Sequence, residues 1–153
     1  MFLKRLAIAL QQSNINYALV GGYAVALHGA VRGTIDIDLV IALEHEQFIK
    51  LEKALGTLGL KSHLPITAEE VFNFREEYIK RRNLVAWKFV NEKNAVEIVN
   101  VIITCDANEM DAVNIQLEDL KIPVVTKEAL IDMKKASTRL QDLVDVVALQ
   151  KLR

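Results

Sequence analysis

The stretch LVGGYAVALHGAVRGTIDIDLVI, residues 19–41, decides how the rest of the chain is read. It carries a glycine pair (Gly21, Gly22), a short helical segment, a loop arginine (Arg32) and a run in which polar and apolar residues alternate. Alternation with period two marks a half-buried strand. Residues 35–41 are therefore expected to form one, with Ile35, Ile37, Leu39 and Ile41 on one face and Asp36 and Asp38 on the other. Along such a strand the two carboxylates stand about 6.6 Å apart. Like charges side by side repel unless a cation lies between them, and magnesium commonly takes one or two carboxylates with water and phosphate completing its shell. Bare backbone amides where a helix begins attract phosphate, and glycine lets the phosphate come close. The stretch thus suggests a site for a metal-bound triphosphate, cradled by Gly21 and Gly22. Arg32, whose planar fork matches phosphate, is its expected loop partner. His28, at the end of the short helix, either contacts a phosphate or serves only the helix end.

The 153 residues, 52% hydrophobic and 25% charged, suffice for one well-packed core and not for two, so a single domain over residues 1–153 is expected. A net charge of −1 leaves no overall basic footprint, which argues against broad, salt-driven binding to duplex nucleic acid. Cys105 is the one cysteine, which excludes an intrachain disulfide and fits a reducing compartment. The opening MFLKRLAIALQQ is broken by Lys4, Arg5, Gln11 and Gln12. It is too short for a membrane span and lacks a small-residue cleavage site. A first amphipathic helix, no membrane association and a cytoplasmic setting are the expectation.

Further along, residues 17–20 read as a buried strand running into the glycine pair, residues 23–27 as a helical segment and residues 28–34 as a loop. Phe48, Leu51, Leu55 and Leu58 recur at three- and four-residue steps, predicting a helix over 45–58 closed by Gly59. Thr67 with Glu70 is a capping-box pattern that opens a helix towards Arg82. LVAWKFV (84–90) and AVEIVNVII (95–103), separated by NEKN, predict an antiparallel hairpin. A turn centred between Glu92 and Lys93 puts Lys88 directly opposite Glu97. IQL and IPVV are further short strands, Pro123 placing the latter at an edge or a strand start. Helices are expected over 127–135, behind Thr126 as N-cap, and over 139–152, with Leu140, Leu143, Val144, Val147 and Leu152 on roughly one face.

In-line attack on an α-phosphorus is helped by two ions about 3.5–4 Å apart, the second held by a third carboxylate on a neighbouring strand. Glu97 is the candidate, because a charge in a valine- and isoleucine-rich strand is costly unless something compensates it. An ion pair with Lys88 explains Glu97 without a metal. Lys80, Arg81 and Arg82 suit the C-terminal end of a helix whether or not they touch a nucleotide tail or RNA. Trp87 and Phe89 read as sheet core.

These residues match a known pattern. Residues 19–41 resemble the small nucleotidyltransferases of the DNA polymerase beta superfamily, in particular the bacterial minimal nucleotidyltransferase-like proteins with their "GG...HG...R.T.DID" signature. EALIDMKKASTRLQDLVDVVAL resembles the C-terminal helical stretch of that family, with Lys134 or Lys135, Arg139, Asp142 and Asp145 in the expected pattern. The resemblance implies an α+β fold, a mixed β-sheet flanked by helices. It implies magnesium-dependent transfer of a nucleoside monophosphate from an NTP, ATP foremost, to a hydroxyl on a protein, an RNA or a small molecule. Gly21 and Gly22 would bind phosphate, and Asp36 and Asp38 would hold one or two magnesium ions. The third acid of the family is usually aspartate, whereas Glu97 is one methylene longer. Some members of the superfamily keep the scaffold without activity, and others partner toxin-like helical proteins. The alternative is therefore a catalytically silent, antitoxin-like interaction protein, with a structural metal-binding module as a third reading.

Overall fold

In the computed structural model of the protein, residues 1–29, 36–135 and 140–152 are described. Helix α1 (Phe2–Gln12) buries Leu3, Leu6, Ala7 and Leu10, one stripe at helical spacing. Strand β1 (Tyr17–Val20) is buried throughout and leads straight into α2 (Gly21–Leu27), which begins at the glycine pair itself, two residues earlier than expected. Strand β2 (Ile37–Ile41) follows, then α3 (His45–Thr57), β3 (Leu60–Ser62), α4 (Ala68–Asn73) and α5 (Arg75–Arg82). The hairpin of β4 (Ala86–Asn91) and β5 (Asn94–Ile102) precedes a short 3-10 turn (Ala107–Glu109), the hairpin of β6 (Ala112–Leu117) and β7 (Leu120–Val125), and the helices α6 (Lys127–Lys135) and α7 (Leu140–Gln150).

Thr67 and Glu70 form the expected capping box, each side chain bonding the other's backbone N–H. The single helix expected there is instead two, interrupted at Phe74, which is half exposed. Strand β3 was not expected. It has three residues and pairs antiparallel with β4 at the edge of the sheet.

The seven strands form one mixed sheet in the order β3-β4-β5-β2-β1-β7-β6, flanked by helices, as the α+β expectation required. β2 lies between β1, antiparallel to it, and β5, parallel to it. Pro123 does not sit at an edge, because β7 lies between β1 and β6. The β1 ladder meets β7 only at the pair Leu19 and Val124, so the missing proline N–H interrupts no long ladder on that side.

The hairpin forms, but its register differs from the expected one. Asn91 pairs with Asn94 across the turn, while Val90 pairs with Ile98, so Ala95, Val96 and Glu97 are extra residues bulged on β5. Lys88 consequently pairs with Asn100, not with Glu97.

Pairing fixes the faces. Trp87 pairs with Val101 and Phe89 with Val99, and Ile37 and Leu39 align with Val99 and Val101, so these six residues share one face. Phe48 of α3 stacks on Trp87 at 6.2 Å between ring centroids, and Phe89 lies 4.4 Å from the same ring. All three aromatic side chains are fully buried, each contributing about 1.5–3 kcal/mol through loss of apolar surface to water. Asp38, Asn100, Lys88, Ala86 and Ile102 fall on the opposite face, which is open beyond the groove that α6 and α7 border. Among the described residues no helix is long and apolar enough to cross a membrane.

Candidate active site

Asp38 stands in β2 opposite Val20, the last residue of β1, with Asn100 of β5 on its other side. Asp36 lies in a bend just before β2, so the strand begins later than the alternation suggested. The Asn100 amide nitrogen donates to Asp38 Oδ1 at 2.9 Å and to Asp36 Oδ2 at 3.2 Å. A primary amide has two hydrogens, one for each carboxylate. The two acids therefore converge on one point of the open face.

Gly21 closes one wall of that point. Its φ of +68° is left-handed, and a Cβ built there would lie 2.8 Å from both Cβ and Cγ of Asp38, closer than real Cβ atoms come to their neighbours. Only glycine lets the chain pass from β1 into α2 with its backbone against the Asp38 carboxylate. Gly22 is buried in the first turn of α2.

From the acid pair a groove of about 580 Å³ runs along the sheet face past Ile102 and Thr104, with Leu130, Met133 and Lys134 of α6 on its far side. Lys134 is itself buried and holds two buried carboxylates of α7, Asp142 Oδ1 at 3.2 Å and Asp145 Oδ2 at 3.0 Å. Neither acid could be buried at this depth without such compensation. The C-terminal residues Lys134, Asp142 and Asp145, part of the resemblance noted in the sequence, thus join α6 to α7, and Lys134 and Asp142 line the groove.

The other expected site residues fare differently. His28 caps the end of α2, and its Nε2 bonds the Val125 carbonyl at 2.7 Å, tying that helix to β7. Arg32 and Arg139, the first residue of the expected final helix, lie outside the described residues, as do the rest of positions 30–34 of the expected loop and Ile35 of the expected strand.

Glu97 is not brought to the acid pair. It shares the buried parity of Val99 and Val101, on the face away from Asp38, and forms an ion pair with Arg5 of α1. Asn91 and Asn94 also donate to its carboxylate, at 2.9 Å and 3.4 Å. Arg5 of α1 and the turn amides supply the compensation that a charge in this strand required, and Lys88 pairs with Asn100 instead. The residue that sequence reasoning missed is Asn100. Its signal is modest: it is the second polar residue in the apolar run of β5, at the parity opposite Glu97. Among the described residues no group of three His, Cys, Asp or Glu side chains is placed to hold a metal ion.

No family model matches the sequence, and no curated protein matches it. Solved structures do. The lincosamide antibiotic adenylyltransferase LnuA, bound to lincomycin, superposes with a TM-score of 0.67 at 17% identity, over 99% of this chain and 96% of that one. ANT(2'')-Ia in complex with adenylyl-2''-tobramycin gives 0.62 at 13% identity, over 96% and 84%. An antigenic nucleotidyltransferase-like protein from Paracoccidioides brasiliensis gives 0.60 at 17% identity, over 97% and 74%. The chain has the nucleotidyltransferase fold. At these identities the likeness is one of fold.

Proposed function

We propose that the protein is a magnesium-dependent nucleotidyltransferase that moves a nucleoside monophosphate from an NTP, ATP foremost, to a hydroxyl acceptor. The observation that carries this is the convergence of Asp36 and Asp38 on one amide, beside a glycine whose position admits no side chain. Two carboxylates gathered in this way suit a hard divalent cation. Bound there, magnesium would polarise the α-phosphate and neutralise the leaving pyrophosphate.

The chain's own residues do the rest. Gly21, having no side chain, leaves room for the Asp38 carboxylate against the turn from β1 into α2, where the triphosphate would meet it. The acceptor oxygen attacks the α-phosphorus in line. Its bond forms as the bond to the bridging oxygen of the β-phosphate breaks, pyrophosphate leaves with that electron pair, and a carboxylate of the pair takes the hydroxyl proton. The groove past Ile102 and Thr104, about 580 Å³, has the volume of a small-molecule site and would take a small acceptor. LnuA is an adenylyltransferase for lincosamide antibiotics and ANT(2'')-Ia was solved with an adenylylated tobramycin, so small hydroxyl compounds join RNA and protein as acceptors to try.

Incubation with α-phosphate-labelled NTPs, magnesium and a cell extract tests the activity. A magnesium-dependent labelled product that disappears with Asp38→Asn is the expected result. No product from any of the four NTPs would overturn it.

Asn100, standing where a third acid would serve, also favours a second function, a silent interaction protein that keeps the fold for its surface. Leu143, Val144 and Val147 of α7, all about half exposed, would be part of that surface. Calorimetry separates the two, because a silent protein gives no magnesium-dependent heat with ATP.

A further inference from the structure

Three residues on three neighbouring strands form one row across the open face of the sheet: Asp38 on β2 pairs with Asn100 on β5, and Asn100 pairs with Lys88 on β4. Adjacent strands lie about 4.8 Å apart, so the four-carbon stem of Lys88 starts one strand beyond the amide that touches both acids. Lys88 is exposed, and among the described residues it has no acidic partner, because Glu97 is held by Arg5 on the other face.

The charge balance of this row differs from that of a two-ion site. A second divalent ion needs a further anionic ligand, since two cations about 3.5–4 Å apart repel strongly. Here the position beside Asp38 holds a neutral carboxamide, and no third acidic, histidine or cysteine side chain joins the pair among the described residues. What the row offers next is a positive side chain. An ammonium on a flexible stem is a mobile point charge suited to a phosphate oxygen.

We propose that this site takes a single divalent cation, and that Lys88 supplies to the triphosphate the positive charge a second ion would otherwise bring. The inference rests on the nucleotidyltransferase reading above and refines its metal content. It also gives Lys88 a role that the hairpin bulge makes available, because without the three extra residues of β5 the lysine would face Glu97.

The experiment is equilibrium dialysis of the full chain with manganese and α,β-methylene ATP, which cannot undergo transfer, counting metal and nucleotide on the protein side. One manganese ion per bound nucleotide is expected for the natural sequence, and two for Asn100→Asp. Two ions per nucleotide in the natural sequence would overturn the single-cation site, whatever the variant does. No protein-bound nucleotide at all would instead sink the nucleotidyltransferase reading on which the proposal rests. Lys88→Met should weaken nucleotide binding about tenfold and leave the metal count at one, since the lysine acts on phosphate and not on the cation. Unchanged affinity in that variant would remove Lys88 from the site.

Discussion

Asn100 divides its two amide hydrogens between Asp38, at 2.9 Å, and Asp36, at 3.2 Å. It thereby offsets the repulsion of two carboxylates that the fold brings to one point. Asn100→Ala is expected to lower stability by about 1–2 kcal/mol in metal-free buffer, since charge-assisted hydrogen bonds are lost while both acids stay. Millimolar magnesium should recover most of that loss, because a cation does the same work. Urea unfolding with and without magnesium checks both halves, and an equal loss in both buffers would show that the amide is only packing.

How far the sequence spoke for this site is clearest at β5. The D-x-D spacing correctly foretold that Asp36 and Asp38 come together, although Asp36 lies in the bend before β2 and the two meet on the Asn100 amide, because neighbours this close in sequence stay close in space. Strand β1, the glycine pair, the capping box at Thr67 and the existence of the β4–β5 hairpin were legible for the same reason. The pairing of β5 with β2 was not, since it joins residues far apart in sequence, and nothing in AVEIVNVII announces three bulged residues. A register set from the turn alone therefore put Glu97 opposite Lys88, where the folded sheet places Asn100, and the charge of Glu97 outweighed the neutral Asn100 beside Asp38.

Glu97 now has a structural task, and its replacement tests that directly. Glu97→Gln keeps one acceptor oxygen where the carboxylate offers two, Oε1 to Asn91 and Oε2 to Asn94 and Arg5, and removes the charge that faces Arg5, a half-exposed partner. The loss of one acceptor for a part-buried hydrogen bond adds to the small contribution of a partly solvated pair, so the stability loss should be about 1–2 kcal/mol. Affinity for magnesium and ATP should not change. A tenfold fall in that affinity without unfolding would return Glu97 to the metal site.

Lys134 presents the opposite case, because it and both its partners are buried. Lys134→Met leaves Asp142 and Asp145 without their common cation, at an expected cost of about 3–5 kcal/mol. Chemical unfolding measures this, and a loss under about 1 kcal/mol would mean that the two aspartates do not depend on the lysine.

Tyr17 sets a limit at high pH. Burial pushes its hydroxyl up to about 12, partly opposed by nearby Gln11, and the oxygen reaches no hydrogen-bond partner in good geometry. The folded chain keeps this proton where the unfolded chain, with an ordinary value near 10, has released it. Its contribution to stability is whole below pH 10 and is lost as pH rises towards 12, in total about 2–3 kcal/mol. Tyr17→Phe should remove this component of alkaline destabilisation. Parallel stability curves for the two proteins between pH 9 and pH 12 would contradict it.

The central claim is that Asp36 and Asp38 together hold a cation beside Gly21 for a nucleotide. Calorimetric titration of α,β-methylene ATP into the natural sequence, Asp36→Asn and Asp38→Asn, each with magnesium and with chelator, tests it most directly. Magnesium-dependent binding to the natural sequence, lost in both folded variants, is the predicted result. Binding that survives in the variants, or that does not need the metal, would contradict the account.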